Sequence, residues 1–215
     1  MHLSTRSLAA AAWCAFAAST AQAQYVVEGL SFGHKSGSIS PNSGIVPGWH
    51  TFGEGHNPDL LSDRVILTPP YPGNKRGAIW SDNPLPHREW IADIEFRASG
   101  PERAGGNLQI WYAKDGPTAV ELSSLYTVGK FDGLVLVLDQ HSGRGGSIRG
   151  FLNDGTTSYK GHHNVDTLAF GSCDYAYRNR GDPTKLQLKQ TSHELEVLVD
   201  GRSCIKSDKV RLTAL

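Results

Sequence analysis

A carboxylate at the start of a polar loop is the first group in this sequence that could do chemistry. Asp139 follows the apolar run Gly133–Leu138 and precedes Gln140-His141-Ser142-Gly143. Its oxygens would suit calcium or the hydroxyl groups of a sugar, but calcium takes six to eight oxygen ligands. Other residues would therefore have to converge on Asp139, and the candidates are Asn153, Asp154, Asn164 and Asp166. A purely structural or solvated Asp139 remains an open alternative.

Two further groups could take part in chemistry. His162-His163, followed by Asp166, could hold a metal ion, although a strand cannot easily aim two adjacent histidines at one site, so exposed histidines are the alternative. Asp93 and Glu95 share one face of a predicted strand, as catalytic carboxylates of β-sandwich glycosidases do. The tandem pattern Glu-x-Asp-x-x-Glu expected of such enzymes is absent, so a solvated strand face is the alternative for this pair.

Other catalytic motifs are missing from the sequence. There is no Gly-x-Ser-x-Gly turn, which argues against a serine hydrolase of the usual kind. The glycine-rich stretch Gly143-Arg144-Gly145-Gly146 lacks the Gly-Lys-Ser/Thr ending that holds a phosphate, so it is interpreted as a loop.

The elements that must position these groups are short strands separated by turn residues. In Trp90–Arg97 one face carries only apolar side chains and the other carries Asp93, Glu95 and Arg97, which is typical of a half-buried strand. Leu134–Leu138 is apolar on both faces, as expected of a strand covered on each side. Asp200-Gly201 suits a type I′ hairpin turn. The predicted strands are Tyr25–Ser31, Arg64–Thr68, Gly77–Trp80, Trp90–Arg97, Leu108–Ala113, Leu134–Asp139, Ser147–Leu152, Lys185–Lys189, Glu194–Val199 and Ser203–Lys206.

This pattern predicts an all-β sandwich or barrel, with at most a turn or two of helix over 120–126. The chain has 215 residues, which suits one domain. Its 21 Lys and Arg residues balance 21 Asp and Glu residues, so the formal net charge is zero. That balance argues against an electrostatic nucleic-acid binder and against a polybasic membrane-surface protein.

The first 23 residues are predicted to be a secretory signal peptide, the alternatives being an N-terminal anchor or a buried helix. Leu8–Ala18 is apolar and is followed by the small-x-small cleavage pattern Ala21-Gln22-Ala23, while the run is too short to span a bilayer. Removal of residues 1–23 would leave 24–215, with Cys173 and Cys204. In an oxidising compartment these two cysteines predict one disulfide, the alternative being two buried free thiols. We expect a lumenal or secreted domain without a membrane span.

Several motifs in order along residues 24–215 carry a family resemblance. They are Leu30-Ser31-Phe32, Val46-Pro47-Gly48-Trp49, Asp63–Pro69, Arg76–Trp80, Trp90–Arg97, Ile110–Ala113, Phe131-Asp132-Gly133, Asp139, and Cys173 with Tyr177-Arg178-Asn179. Together they resemble the L-type (leguminous-type) lectin domain of early secretory pathway cargo receptors. Phe151–Gly155 and His162-His163 are most similar to the fungal branch of that family.

The resemblance implies a concanavalin-like (jelly-roll) sandwich of two antiparallel sheets, with a Cys173–Cys204 disulfide. It implies a mannose-binding lectin, not an enzyme, that recognises high-mannose N-glycans on glycoprotein cargo between endoplasmic reticulum and Golgi, usually with calcium. Members of the family are usually anchored in the membrane. Their lectin domain also continues past the position of Leu215, so the sandwich is expected to lack its last strands here.

The resemblance implies site residues only in part. Asp139 matches the first metal aspartate, and His141 matches a ligand that acts through its backbone carbonyl. A metal-ligating Asn falls at Gly143. The family's His-x-x-Asp falls on Gly161 and Asn164, or on His162 and Asp166 after a small insertion. The family's sugar-binding Asp falls at Gly106, beside Asn107. The expected ligand-binding residues are Asn107, Asp139, Gly143, His162 and Asn164, and the expected metal ligands are Asp139, His141, Asn164 and Asp166.

Three other functions stay open at this point. A glycan-active enzyme on the same sandwich would need two acidic residues facing each other in a concave groove. A sandwich with a degenerate sugar site would act as a protein-interaction module. A truncated, nonfunctional product would fold poorly, because an incomplete sheet exposes an unpaired edge.

Overall fold

The fold is seen in a computed structural model that describes residues 24–41, 44–100, 106–119, 130–140, 145–159, 165–210 and 212. The predicted signal peptide, the stretch 120–126 and the loop residues His141, Gly143, His162, His163 and Asn164 lie outside the described residues. The strands are β1 (Trp49–Glu54), β2 (Asp59–Leu60), β3 (Val65–Ile66), β4 (Arg76–Ser81), β5 (Trp90–Phe96), β6 (Leu108–Ala113), β7 (Asp132–Asp139), β8 (Ser147–Asp154), β9 (Gly171–Asp174), β10 (Thr184–Gln190), β11 (Leu195–Val199) and β12 (Arg202–Ser207).

Two four-stranded antiparallel sheets form the body of the molecule, which confirms the predicted all-β sandwich. One, here called the β10 sheet, has the order β12-β11-β10-β5, and the other, the β7 sheet, has the order β6-β7-β8-β9. Two-stranded ribbons, β1-β4 and β2-β3, accompany them. The helical turns of the described ranges are single 3₁₀ turns, at Glu28–Leu30, Gly116–Ala119 and Val165–Leu168. None of the helices in those ranges is long and apolar enough to cross a membrane.

The main core lies between the two sheets. Leu134, Leu136 and Leu138 of β7 pack in one cluster with Leu186 and Leu188 of β10. The predicted alternation of Trp90–Phe96 is confirmed, because its four apolar side chains face this cluster while Asp93 and Glu95 stay exposed. Burial of alternating apolar side chains from both inner faces is what holds two sheets together.

A second, smaller core covers the opposite face of the β7 sheet. Val135 and Val137 of β7 pack there with Phe151 of β8 and with Tyr159 and Val165 from the following segment. The five residues Leu134–Leu138 are therefore fully buried, which confirms that this strand is covered on both sides. Since β7 is held from both faces, its last residue, Asp139, has a fixed position.

The two sheets are also joined covalently. Cys173 of β9 and Cys204 of β12 form a disulfide with their Cα atoms 5.5 Å apart. This confirms the predicted pairing and excludes the alternative of two free thiols. The bond connects an edge strand of the β7 sheet to an edge strand of the β10 sheet.

Some strand predictions were wrong or incomplete. Tyr25–Ser31 is not a strand, since Glu28–Leu30 forms a 3₁₀ turn and the Tyr25 side chain is 71% exposed. The hydrophobic run there has no strand partner among the described residues. Strands β1, β2 and β9 were not predicted. The Asp200-Gly201 turn is confirmed, with φ of 46° and 76°, as a type I′ turn requires.

Candidate functional site

The candidate site lies at the end of the β7 sheet where β7 finishes and β8 begins. Strand register places Asp139 opposite Ser147, and Ser147 opposite Asp174 of β9. The next row inward on the same face pairs Val137 with Arg149. Arg149 is thus a diagonal neighbour of Asp139, a separation that a long side chain spans easily.

Asp139 is nearly buried and receives hydrogen bonds on both carboxylate oxygens. The Ser147 hydroxyl donates to Oδ1 at 3.0 Å, and Arg149 Nη2 donates to Oδ2 at 2.5 Å. The Asp139 and Arg149 side chains are only 11% and 4% exposed. Buried ionic groups are stable only when they are paired and hydrogen-bonded, and both conditions are met here.

The same guanidinium binds a second carboxylate. Arg149 Nη1 donates to Asp166 Oδ1 in a short contact, and the Asp166 side chain is 43% exposed. Asp166 is positioned by its own 3₁₀ turn, whose first residue, Val165, is buried in the second core. Arg149 therefore links a sheet carboxylate to a loop carboxylate; we call Asp139, Arg149 and Asp166 the ionic triad.

An open cavity of about 370 Å³ adjoins the ionic triad. Five of its seven lining residues have polar side chains, and the lining comes from two strands and the segment before β9. The lining residues are Ser147, Arg149, Asp166, Ala169, Ser172, Cys173 and Asp174. Hydroxyl, carboxylate and guanidinium groups around one depression can exchange several hydrogen bonds with a ligand rich in hydroxyl groups.

Asn107 stands at the same end of the sheet. It precedes β6, whose first residue, Leu108, pairs with Leu138, so Asn107 and Asp139 are the next residues of their strands at this end. Gln109 Nε2 donates to Asn107 Oδ1 at 3.1 Å, and Trp111 Nε1 donates to Gln109 Oε1 at 3.1 Å. This chain of hydrogen bonds anchors the exposed Asn107 side chain to the partly buried Trp111. Gly106, which occupies the position of the family's sugar-binding aspartate, is exposed next to Asn107.

Tyr177, which contacts the backbone next to Asp139, has a raised pKa. Burial raises the pKa of Tyr177, while a hydrogen bond with Arg178 and the positive charge of Arg178 lower it by less, and the negative charge of Asp139 adds the smallest increase. The Tyr177 hydroxyl is 3.4 Å from the carbonyl oxygen of Leu138, to which it donates. Tyr177 thus remains a neutral donor that holds the backbone next to Asp139.

The structure brings together three of the predicted site residues. Asn107 and Asp139 are at the same end of neighbouring strands, and Asp166 bonds to the arginine that binds Asp139, whereas His141, Gly143, His162 and Asn164 fall outside the described ranges. Within those ranges no cluster of three or more His, Cys, Asp or Glu side chains could hold a metal ion. Asp139 and Asp166 are the two predicted metal ligands within the described ranges, and both bond to the Arg149 guanidinium, which does not favour a calcium ion between them.

The carboxylate pair Asp93 and Glu95 belongs to a different surface. Both side chains are exposed on the outer face of the β10 sheet, and Gln187 Nε2 donates to Asp93 Oδ1 at 2.7 Å. The alternative of a solvated strand face therefore describes these two residues better than a catalytic role.

Arg149 is a residue of the candidate site that was not predicted from the sequence. Within the predicted strand Ser147–Leu152 a period of two already placed Ser147, Arg149 and Phe151 on one face. A lone arginine on a strand otherwise flanked by apolar residues is the signal of a buried ion pair. Its partners could not be named without the register between β7 and β8.

Comparison with known proteins adds evidence from outside the chain. Residues 31–214 match the family model of the legume-like lectin family. Protein ERGIC-53-like of Rattus norvegicus is 27% identical over 165 residues, which cover 75% of this chain and 31% of that protein. Protein EMP47 of Saccharomyces cerevisiae is 26% identical over 168 residues, covering 76% and 36%. The chain thus spans about a third of the length of these curated relatives.

Solved structures share the fold. The Ca²⁺/Man3GlcNAc-bound VIP36 exoplasmic/lumenal domain is 25% identical with a TM-score of 0.65, covering 78% of this chain and 75% of that one. Matching lectin domains have been solved with calcium, with potassium and without metal. The family match over most of the chain, together with this fold, establishes that the chain belongs to the legume-like lectin family.

Proposed function

We propose that this protein is a lectin that recognises mannose-type N-glycans through the end of the β7 sheet. The observation that carries the proposal is the polar cavity beside the ionic triad, in a chain of the legume-like lectin family. A relative that is 25% identical was solved with Man3GlcNAc bound, which supports mannose as the sugar type. Asn107, Asp166, Ser172 and Asp174 supply acceptors and donors for sugar hydroxyl groups.

The proposed activity is binding without chemistry. An enzyme on this sandwich would need two acidic residues facing each other across a substrate. Asp139 and Asp166 do approach each other, but the guanidinium of Arg149 occupies the space between them. That arrangement favours recognition over hydrolysis.

The biological setting follows the family in the same proposal. Residues 1–23 are a signal peptide, residues 24–215 are the lectin domain, and the protein acts in the lumen of the secretory pathway. Its partners are glycoproteins that carry high-mannose glycans, and its role is their sorting between endoplasmic reticulum and Golgi. Calcium, held by Asp139, His141, Asn164 and Asp166, was the expected cofactor; since Asp139 and Asp166 already bind Arg149, no step of the proposal depends on it.

A panel of immobilised N-glycans tests this function. The full chain, secreted from a eukaryotic host, should bind high-mannose glycans in preference to complex glycans that end in galactose or sialic acid. The matched control is Glu95→Gln, which neutralises an exposed carboxylate on the other sheet and should leave binding unchanged. If a folded, disulfide-bonded chain binds none of the glycans, the protein-interaction alternative replaces the lectin.

A further inference from the structure

In the ionic triad two carboxylates surround one positive charge, as they would in a metal site, but the positive charge belongs to an arginine side chain. Two carboxylates, Asp139 and Asp166, come from different elements and meet at one positive centre. In a calcium site that centre would be the ion, and both carboxylates would be its ligands. Here it is the guanidinium of Arg149, and its side chain is 4% exposed.

We propose that Arg149 is a built-in cation that replaces a divalent metal ion at this site, so that the recognition surface is held in place without calcium. The inference deepens the proposed function, since it concerns how the same binding face is organised. Arg149 is a positioning residue: it fixes Asp139 and Asp166 and, through Asp166, one wall of the cavity.

Geometry explains why the guanidinium excludes a metal ion. A calcium ion binds its ligand oxygens at 2.3–2.6 Å, so an ion on Asp139 Oδ2 would have to share that oxygen with the positively charged Arg149 guanidinium. Both oxygens of Asp139 accept hydrogen bonds from protein donors, Oδ1 from Ser147 and Oδ2 from Arg149. A calcium ion could reach Oδ2 only by displacing the guanidinium.

Displacement is opposed by burial. Arg149 is covered by the second core, with its guanidinium carbon 5.8 Å from the centre of the Phe151 ring. If a calcium ion bound to Asp139 and Asp166, the buried Arg149 guanidinium would lose its two carboxylate partners and would lie close to a doubly charged ion. Arginine is always protonated in proteins, so it cannot escape this repulsion by losing a proton.

The planar guanidinium also suits the task. It offers several N–H donors in a fixed fork, so Nη1 and Nη2 can each hold a different carboxylate. A lysine at this position would be a single point charge on a flexible stem and would hold the two carboxylates less rigidly.

Thermal unfolding of the full chain in excess CaCl₂ and in EDTA tests the inference. A ligand that binds only the folded state raises the melting temperature. Since the wild-type protein is expected not to bind calcium at this site, its melting temperature should be the same in both buffers. Terbium, a luminescent calcium probe that is excited through nearby tryptophans, should give no saturable signal with the wild-type protein. A rise in the wild-type melting temperature with calcium, or a saturable terbium signal that calcium abolishes, would overturn the proposal.

Variants separate the guanidinium from the carboxylates. Arg149→Gln removes the positive charge but keeps hydrogen-bonding capacity, and we expect it to gain a calcium-dependent rise in melting temperature of several degrees. Arg149→Lys should melt lower than wild type yet remain insensitive to calcium. The matched control, Arg76→Gln, neutralises an exposed arginine that pairs with Glu54 in the β1-β4 ribbon and should resemble wild type in both buffers.

Asp166→Asn keeps the test decisive even if Arg149→Gln does not fold. With a built-in cation, this substitution lowers the melting temperature equally in calcium and in EDTA. With a metal site, it lowers the melting temperature only when calcium is present, and that result would overturn the proposal. None of these measurements uses a glycan, so failure of glycan binding and failure of this inference are separate outcomes.

Discussion

Asp139 Oδ2 and Arg149 Nη2 are 2.5 Å apart across strands β7 and β8, at a place where both side chains are nearly out of contact with water. The pair exists because antiparallel register makes the two residues diagonal neighbours on one face. It also makes the end of the β7 sheet rigid, since the same arginine ties down Asp166 from the following loop. A preorganised surface of this kind binds a ligand without paying to order its own side chains.

The two carboxylates of the ionic triad should contribute unequally to stability. Asp139→Asn leaves the buried guanidinium without its innermost charge partner and should destabilise the fold by about 3 kcal/mol. Asp166→Asn should lower the free energy of unfolding by only about 1 kcal/mol, because the Asp166 side chain is 43% exposed and water screens its ion pair with Arg149. Urea unfolding monitored by tryptophan fluorescence measures both values. Equal losses for the two variants would contradict the assignment of Asp139 as the buried partner.

The Cys173–Cys204 disulfide should contribute a large part of the free energy of unfolding. It closes a loop over a sequence separation of 31 residues, for which the chain-entropy estimate is about 3–4 kcal/mol. The double variant Cys173→Ala/Cys204→Ala should therefore unfold at a clearly lower urea concentration than the oxidised wild type. Reduced wild-type protein serves as the control and should resemble the double variant. No effect of either change would mean that the bond is absent from the secreted protein.

Gly133, the second residue of strand β7, should not tolerate a side chain. Its φ is 143°, and a Cβ there would stand 2.1 Å from the Tyr112 carbonyl oxygen of the neighbouring strand. Gly133→Ala should cost at least about 3 kcal/mol, since both strain and a backbone clash arise. Gly201→Ala is the matched control. Gly201 also has a positive φ but has no atom within 4 Å of its Cβ position, so about 1 kcal/mol is expected. Similar losses at the two positions would show that the clash is relieved.

Asp200 should make the stability of the fold depend on pH in the acid range. A hydrogen bond from Tyr175 is the largest cause that lowers its pKa, followed by the backbone N–H of Lys185. Because the folded-state pKa is lower than the unfolded one, this stabilisation is present above the unfolded value near 4 and is lost as pH falls through the folded value.

Asp200→Asn tests this contribution and keeps the turn, since asparagine also tolerates the positive φ of 46° at this position. The variant should be less stable than wild type by about 1 kcal/mol at neutral pH. The difference should shrink in acid, where the wild-type carboxyl becomes protonated. Urea unfolding at several pH values measures it, and a difference that grows toward low pH would contradict this assignment.

Sequence reasoning predicted the sandwich better than the site. The alternation in Trp90–Phe96 and the doubly apolar Leu134–Leu138 are direct consequences of burial on one or two faces, so they can be read from residue types. Strand β1 was missed because Gly53 interrupts its pattern. In the structure Gly53 pairs with Gly77, where a Cβ on either would collide with a backbone carbonyl oxygen of His56 or Leu67. Such close approaches leave no periodic signal.

The site depended on information that only the fold supplies. Asp139 could be found from its place at a strand end, and Asn107 from the family resemblance, which places it beside the position of the sugar-binding Asp. Arg149 could not be linked to them, because its partners are 10 and 17 positions away in sequence. The resemblance pointed to metal ligands at Asp139 and Asp166, while the structure places an arginine between them, a change in chemistry that motif matching does not register.

Calorimetric titration of the full chain with a mannose-type oligosaccharide, in calcium and again in EDTA, tests sugar recognition at the end of the β7 sheet. We expect saturable binding of equal strength in both buffers, and about tenfold weaker binding for Asp166→Asn, which loses one charged group from the cavity wall. Glu95→Gln should bind like wild type. Absence of binding by the folded wild-type chain in both buffers would show that this face is not a mannose-recognition site.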